Sequence, residues 1–162
     1  MVVPSKIFFT KGVGVHREKL VSFEMALRGA HVAPFNLVTV SSILPPDARI
    51  VSREEGLKEL HAGEVVFCVM ARECTDTAGD EIAASVGLAV PSDIHHHGYL
   101  SEYHSHGDTA EAAADHAEKL ADIMLKTLMD ENAVLKTSHV VSTAKGADGV
   151  WTTVVALAVF VP

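Results

Sequence analysis

Residues 108–130 read DTAEAAADHAEKLADIMLKTLMD, and the fold class turns on this stretch. Asp108 is a good N-cap, and Glu111 follows three residues later, as in a capping box. Ala117, Leu120, Ala121, Met124 and Leu128 then recur at helical spacing, which predicts a long helix running to about Asp130. Strand-like runs flank it on both sides. Downstream, Lys136–Ala144 and Val150–Val161 are β-branched and joined by KGADG, which predicts a closing hairpin. Upstream, Gly98–Tyr103 reads as a strand. In Ile82–Val90 the alanines favour a helix, but Gly87 and the following Pro91 weaken it, so a strand is expected. Val65–Met70 (VVFCVM) is a continuous apolar run short enough for a buried strand. Ser52–Leu60 is charged and fits a short helix or a loop. Asn36–Ser41 alternates and is β-branched, as a strand would, and Pro45 and Pro46 break it. Nearer the N-terminus, Lys6–Thr10 reads as a strand and KGVGV as a turn. Arg17–Arg28 reads as a helix with Leu20, Phe23 and Leu27 on one face and Gly29 as its stop. The order is not a regular βαβ alternation. It predicts a single α+β domain over residues 1–162, layered as an αββα-type sandwich with helices covering sheet faces.

Composition narrows the function classes. A chain of 162 residues suits one domain, and 48% hydrophobic residues are enough for a real core. Only 21% are charged, which fits either buried subunit contacts or a compact, alanine-rich fold. The formal net charge is -8 and no Lys/Arg run is present, so nucleic-acid binding is disfavoured. That charge is compatible with a cationic substrate. No stretch approaches the roughly 20 apolar residues needed to span a bilayer. MVVPSKIFF lacks the charged start and long apolar segment of a secretory leader, so a cytoplasmic protein is expected. Cys68 and Cys74 make neither a zinc site nor a disulfide framework, and Cys68, within an apolar run, reads as a small core residue.

The segment Asn36–Asp47, NLVTVSSILPPD, carries the chemistry. Taken alone, two serines at a strand end could simply satisfy backbone groups there. Their setting adds more. A Ser-Ser pair stands beside a Pro-Pro, with Asn36 five residues before Ser41. SFEMAL precedes it, and GYLSEY, a long helix and two β-branched runs follow. In this order the chain resembles the pyruvoyl-dependent arginine decarboxylases over nearly its whole length.

That resemblance implies self-cleavage between Ser41 and Ser42. The Ser42 hydroxyl would attack the Ser41 carbonyl carbon through a five-membered ring, exchanging an amide for an ester. Asn36 is the candidate donor to the oxyanion on the Ser41 carbonyl. Loss of the Ser42 α-proton would expel the Ser41 carboxylate and leave dehydroalanine, which hydrolyses to a covalent pyruvoyl group. The products would be a β chain, residues 1–41, and an α chain, residues 42–162. Arginine would then form a Schiff base with the pyruvoyl ketone and lose carbon dioxide to give agmatine.

Further roles follow from the resemblance. Glu102 in LSEYH would protonate the substrate α-carbon, for which burial near apolar groups would keep it protonated. By itself, Glu102 also reads as an ordinary strand glutamate. Glu24 on the first helix would bind the guanidinium, whose planar fork suits a carboxylate, and it too reads as a solvent-facing residue. The family implies homotrimers, or dimers of trimers, with each site shared between neighbours and Glu102 and Ser42 facing one another across an interface. No metal is implied.

Two other readings stand beside this one. The chain has ten histidines, and His95, His96, His97, His104 and His106 crowd around Glu102. On a strand, His104 and His106 share a face, and such a set could ligate zinc, nickel or copper. A histidine-rich metal-binding protein is therefore a rival, as is a polar loop that happens to be histidine-rich. The other is a relative that does not process itself, or acts on a different amino acid.

Overall fold

The last strand of the computed structural model shows how the core is built. Trp151–Val161 is buried from Thr152 to Val161, and its side chains alternate between two cores. Val154, Ala156, Ala158 and Phe160 join Val69, Ala71, Ile82, Val86, Leu88 and Leu100 in one cluster. Val155, Leu157, Val159 and Val161 join Phe8, Ala26, Val32, Val66 and Cys68 in another. A strand that is apolar on both faces belongs in the middle of a covered sheet.

The structure describes residues 3–162. The elements are β1 (Lys6–His16), α1 (Lys19–Gly29), β2 (Asn36–Thr39), β3 (Ile43–Leu44), β4 (Arg49–Ile50), α2 (Arg53–Leu57), β5 (Val65–Thr75), β6 (Glu81–Pro91), β7 (Gly98–His106), α3 (Ala110–Leu128), β8 (Val134–Lys145) and β9 (Trp151–Val161). One sheet has the order β2-β5-β9-β1-β4 and the other β3-β7-β6-β8. The described residues thus form an α+β domain with two sheets and three helices. Helix α1 packs on β1 and β9, and α3 packs on β6, β7 and β8.

Several expectations are corrected. KGVGV is not a turn, because β1 runs unbroken to His16. Its glycines serve a close approach. A Cβ at Gly12 would stand 2.0 Å from the Ala26 carbonyl oxygen, and one at Gly14 2.1 Å from that of Ser22. Helix α1 therefore buries its small residues Ser22 and Ala26, and the expected apolar face is only half right. Phe23 and Leu27 are partly buried, whereas Leu20 is 78% exposed. Gly29 is the last helical residue instead of lying beyond the end.

The cap of α3 is Thr109, whose side chain accepts from the Ala112 N–H at 3.2 Å. Asp108 instead accepts the Tyr103 hydroxyl at 2.8 Å. The buried face of α3 is mostly alanine, Ala113, Ala114, Ala117 and Ala121, with Leu125. It lies so close to β6 that a Cβ on Gly87 would stand 2.2 Å from the Ala117 carbonyl oxygen.

The closing hairpin is also absent. β8 pairs with β6, whereas β9 pairs with β1 and β5. KGADG carries the chain from one sheet to the other. It is tied to the β5–β6 turn by the Gly146 N–H to the Asp80 carbonyl at 2.7 Å and the Gly79 N–H to the Gly146 carbonyl at 2.9 Å. Burial sorts the two strands. Partly exposed β8 takes a sheet edge, and doubly apolar β9 takes the centre.

Candidate active site

Ser41 and Ser42 lie where the chain passes from one sheet to the other. β2 ends at Thr39, and one further bond, from the Val40 N–H to the Cys68 carbonyl at 2.9 Å, continues its parallel pairing with β5. Two residues later the Ser42 carbonyl accepts the Leu100 N–H at 2.7 Å, and β3 begins on β7. Ser41 is exposed and Ser42 half-buried. Pro45 and Pro46 offer no N–H and end β3. Asp47 turns the chain with φ 60°, its N–H donating to the Ile94 carbonyl at 2.9 Å and its carboxylate 2.9 Å from the His95 ring.

The β3–β7 register relates Ser42 to Glu102. Ile43 opposes Tyr99 and Leu44 opposes Gly98, so Ser42 opposes Leu100. Glu102 stands two residues further along β7 on the same face, which makes it the diagonal neighbour of Ser42 at about 7–8 Å. The two residues expected to face one another across an interface are thus already neighbours within one chain. Beside them, Val40, Ile43, Pro45, Pro46, Phe67 and Phe160 line a cleft of about 370 Å³. Its walls are apolar, and Val40 and Ile43 immediately flank the two serines.

Glu102 as a whole is exposed, yet apolar surroundings still push its carboxyl above the usual range, while His104 and the Met70 backbone N–H oppose that shift. The Cys68 thiol, fully buried nearby, is pushed up to about 12 by burial and secondarily by the Glu102 charge.

Asn36 and Glu24 are not brought to Ser42. The Asn36 side-chain amide donates to the Gly63 carbonyl at 2.8 Å. Five residues of extended chain put it about 16 Å before Ser41. Glu24 bonds to Arg28 one turn on, at 3.0 Å. Glu24 and Arg28 line a separate cavity with His31, Phe35, Leu57 and Leu60, and none of these residues lines the cleft beside Ser42.

Four of the five clustered histidines lie against carboxylates. The His104 ring contacts Glu73 at 2.7 Å, and His106 contacts Asp80 at 2.7 Å and Glu73 at 3.5 Å. His95 pairs with Asp47, His96 lies 3.7 Å from Asp93, and His97 stacks edge-on against Tyr99. Among the described residues, no group of three or more His, Cys, Asp or Glu is placed to hold a metal ion. Hydrogen bonds to Asp80 and Glu73 raise the His106 pKa. Burial acts to raise Glu73, but hydrogen bonds from the Cys74 N–H and His104 and the charges of both histidines leave it lowered.

Three features escaped the sequence reading. The Leu100 N–H is a backbone group with no side-chain signature. The cleft walls Phe67 and Phe160 come from strands far from the serines in sequence. Glu73, the partner of both His104 and His106, lies on β5 beyond Met70, where the expected strand ends.

Comparison with known proteins gives the family. The family described as pyruvoyl-dependent arginine decarboxylase matches residues 6–162. A protein of Methanosarcina acetivorans named pyruvoyl-dependent arginine decarboxylase 1 is 52% identical over 161 residues, covering 99% of this chain and 97% of that protein. The pyruvoyl-dependent arginine decarboxylase of Methanocella arvoryzae is 54% identical over 162 residues, with the same coverage. A probable pyruvoyl-dependent arginine decarboxylase of Chloroherpeton thalassium is 48% identical over 179 residues, covering 99% of this chain and 98% of its own.

Proposed function

The chain belongs to the pyruvoyl-dependent arginine decarboxylase family, and on that premise we propose that it cuts itself between Ser41 and Ser42 and converts arginine to agmatine and carbon dioxide. The observation that carries this reading is the family match over residues 6–162, with a Ser-Ser bond at the crossing between two sheets. The Ser42 hydroxyl is beside the acyl carbon it must attack. Ser41 is exposed, so its carbonyl and the departing carboxylate can be solvated.

The residues around Ser42 fit a pyruvoyl group at that position. Its carbonyl is held by the Leu100 N–H, and an apolar cleft opens beside it. A pyruvoyl ketone supplies a covalent attachment for the substrate amine and a sink for the electron pair left when carbon dioxide departs. Glu102 delivers the proton to the substrate α-carbon. In support, it is the diagonal neighbour of Ser42 and its carboxyl is raised, which keeps more of it protonated near neutral pH.

Glu24 binds the guanidinium, but from a neighbouring copy, because within one chain it lines a cavity apart from Ser42. That favours a homotrimer, or a dimer of trimers, in which α1 of one copy completes the site of the next. Asn36 acts on the Ser41 oxyanion only if the segment rearranges or a neighbour supplies it. In this reading the sheets stack as an αββα sandwich, and the protein works in the cytoplasm. The described residues contain no helix long and apolar enough to cross a membrane.

The test is incubation of the purified protein with arginine. Agmatine and carbon dioxide in equal amounts, lost in Ser42→Ala, are expected. A chain that is fully cut at Ser41–Ser42 yet releases no carbon dioxide from arginine would overturn the substrate.

A further inference from the structure

Self-cleavage needs more than the acyl shift. Once the Ser41 acyl group sits on the Ser42 hydroxyl oxygen, the Ser42 Cα–H bond must break before the Ser41 carboxylate can leave. A hydrogen next to an amide carbonyl is only weakly acidic. The electron pair it leaves behind has to be taken up by that carbonyl oxygen, so the step responds to whatever touches the oxygen. Here the oxygen belongs to Ser42, and it accepts the Leu100 N–H at 2.7 Å, at the short end for such a bond.

We infer that the Leu100 backbone N–H is a catalytic group of self-cleavage, stabilising the negative charge on the Ser42 carbonyl oxygen during α-proton loss. This rests on the reading of Ser41–Ser42 as the cleavage site.

The donor is fixed before the reaction begins. Leu100 opposes Leu88 of β6 and, through the continued register, Ser42. In an antiparallel ladder the N–H and carbonyl of one residue point to the same neighbour. Leu100 therefore directs its N–H to Ser42, and its pairing with Leu88 makes no ladder bond. Its side chain is fully buried in the core between the sheets, with Val86 and Leu88. On the accepting side, Leu44 is buried in the same core. A donor held in this way needs no reorganisation when charge appears, which is what makes such groups effective.

The electron count closes within the chain. The Cα–H bond breaks and the proton goes to solvent water at the exposed crossing. Its electron pair forms a carbon–carbon double bond to the carbonyl carbon, and the carbonyl π pair moves onto the oxygen facing Leu100. That pair then returns to make the Cα–Cβ double bond as the Cβ–O bond breaks, and Ser41 leaves as a carboxylate. No oxidant or reductant is needed. The Leu100 N–H touches the Ser42 carbonyl and not the Ser41 carbonyl, so it acts on elimination and not on the preceding acyl shift.

That separation gives the test. Replacing Leu100 by its α-hydroxy analogue exchanges the N–H for an ester oxygen and keeps the side chain. In the purified full-length chain, hydroxylamine reports the Ser41–Ser42 ester as a residue 1–41 hydroxamate, told apart by mass from scission at the introduced ester before residue 100, and mass spectrometry under denaturing conditions reports the rate at which the two chains appear. Removing one oxyanion donor lowers rates by about 10²–10³-fold, so cleavage should slow by that order while the residue 1–41 hydroxamate rises above that of the natural protein. Cleavage at the natural rate would overturn the inference, as would a loss of ester together with cleavage in a chain of unchanged thermal midpoint. Should the α-hydroxy chain fail to fold, Leu100→Ala and Leu100→Pro make the same comparison. Both lose the side chain, only the second loses the N–H, and equal elimination rates would contradict the role. A natural chain that is never cut at Ser41–Ser42 would instead sink the reading on which the inference stands.

Discussion

β9 and the segment from Val40 to Pro46 are held in opposite ways. β9 is paired on both sides along most of its length, to β1 from Trp151 to Val161 and to β5 from Thr152 to Val159. Both of its faces are buried. The serine segment has one bond to β5, one from Leu100, and a two-residue strand on β7. The bond proposed for cleavage therefore lies where little of the frame depends on it. The frame that would join the two products lies elsewhere. β1, from residues 1–41, inserts between β9 and β4, and α1 covers its glycines. Cutting the chain at Ser41 would remove almost none of this, so the products should remain one folded unit.

The largest effect expected from attacking the weakly held segment is total. Ser42→Ala removes the attacking hydroxyl, so the chain should stay whole and agmatine formation should be absent. Its thermal midpoint should remain close to that of the natural protein, because Ser42 contributes no core side chain. A cut chain in this variant would break the comparison. Next in size is Glu102→Gln, which keeps the shape but removes the proton. General acid groups contribute about 10²–10⁴-fold, so kcat should fall by that order while cleavage proceeds. Activity of the natural protein should also decline as pH rises through the raised Glu102 pKa, since the acid is then ionised. His104 lowers that pKa, so His104→Gln should move the decline to higher pH in a pH–rate profile.

Gly87→Ala tests the rigid region. The added Cβ would meet the Ala117 backbone at 2.2 Å, so α3 must shift on β6. Overpacking of this kind costs about 1–3 kcal/mol, read as a lower denaturation midpoint with cleavage retained. An undiminished midpoint would show that the α3–β6 contact is looser than its geometry. The smallest effect belongs to Glu73→Gln, which removes the shared partner of His104 and His106. Glu73 is held below its usual pKa, so its contribution exists above the ordinary carboxylate range and is lost as pH falls through the lowered value. His106 is raised, so its contribution is present below the ordinary histidine pKa and is lost as pH rises through the raised value. The variant should lower the thermal midpoint only between those limits, and by no more than about 2–4 °C, since exposed pairs are screened.

Much of this organisation was legible in the sequence, and the failures share a cause. Apolar runs and helical spacing mark α3, β5 and β6, GYLSEY marks β7, and NLVTVSSILPPD marks the serine segment. What failed depended on contacts distant in sequence. Gly12 and Gly14 look like turn residues until α1 is known to lie against them. KGADG looks like a hairpin until β9 is seen to need cover on both faces. Asp108 is a better cap than Thr109 by type alone, but Tyr103 on β7 already holds it. The site divides in the same way. The resemblance implies Ser42 and Glu102, and their adjacency comes only from the β3–β7 register. Asn36 and Glu24 were named from the same resemblance, and within one chain they lie apart from Ser42.

The central claim is that Ser42 becomes the pyruvoyl group, and the most direct measurement is the intact mass of the purified protein under denaturing conditions. The account predicts two chains divided between Ser41 and Ser42, the larger without a free amino terminus. A single chain of full mass that persists through long incubation would contradict it.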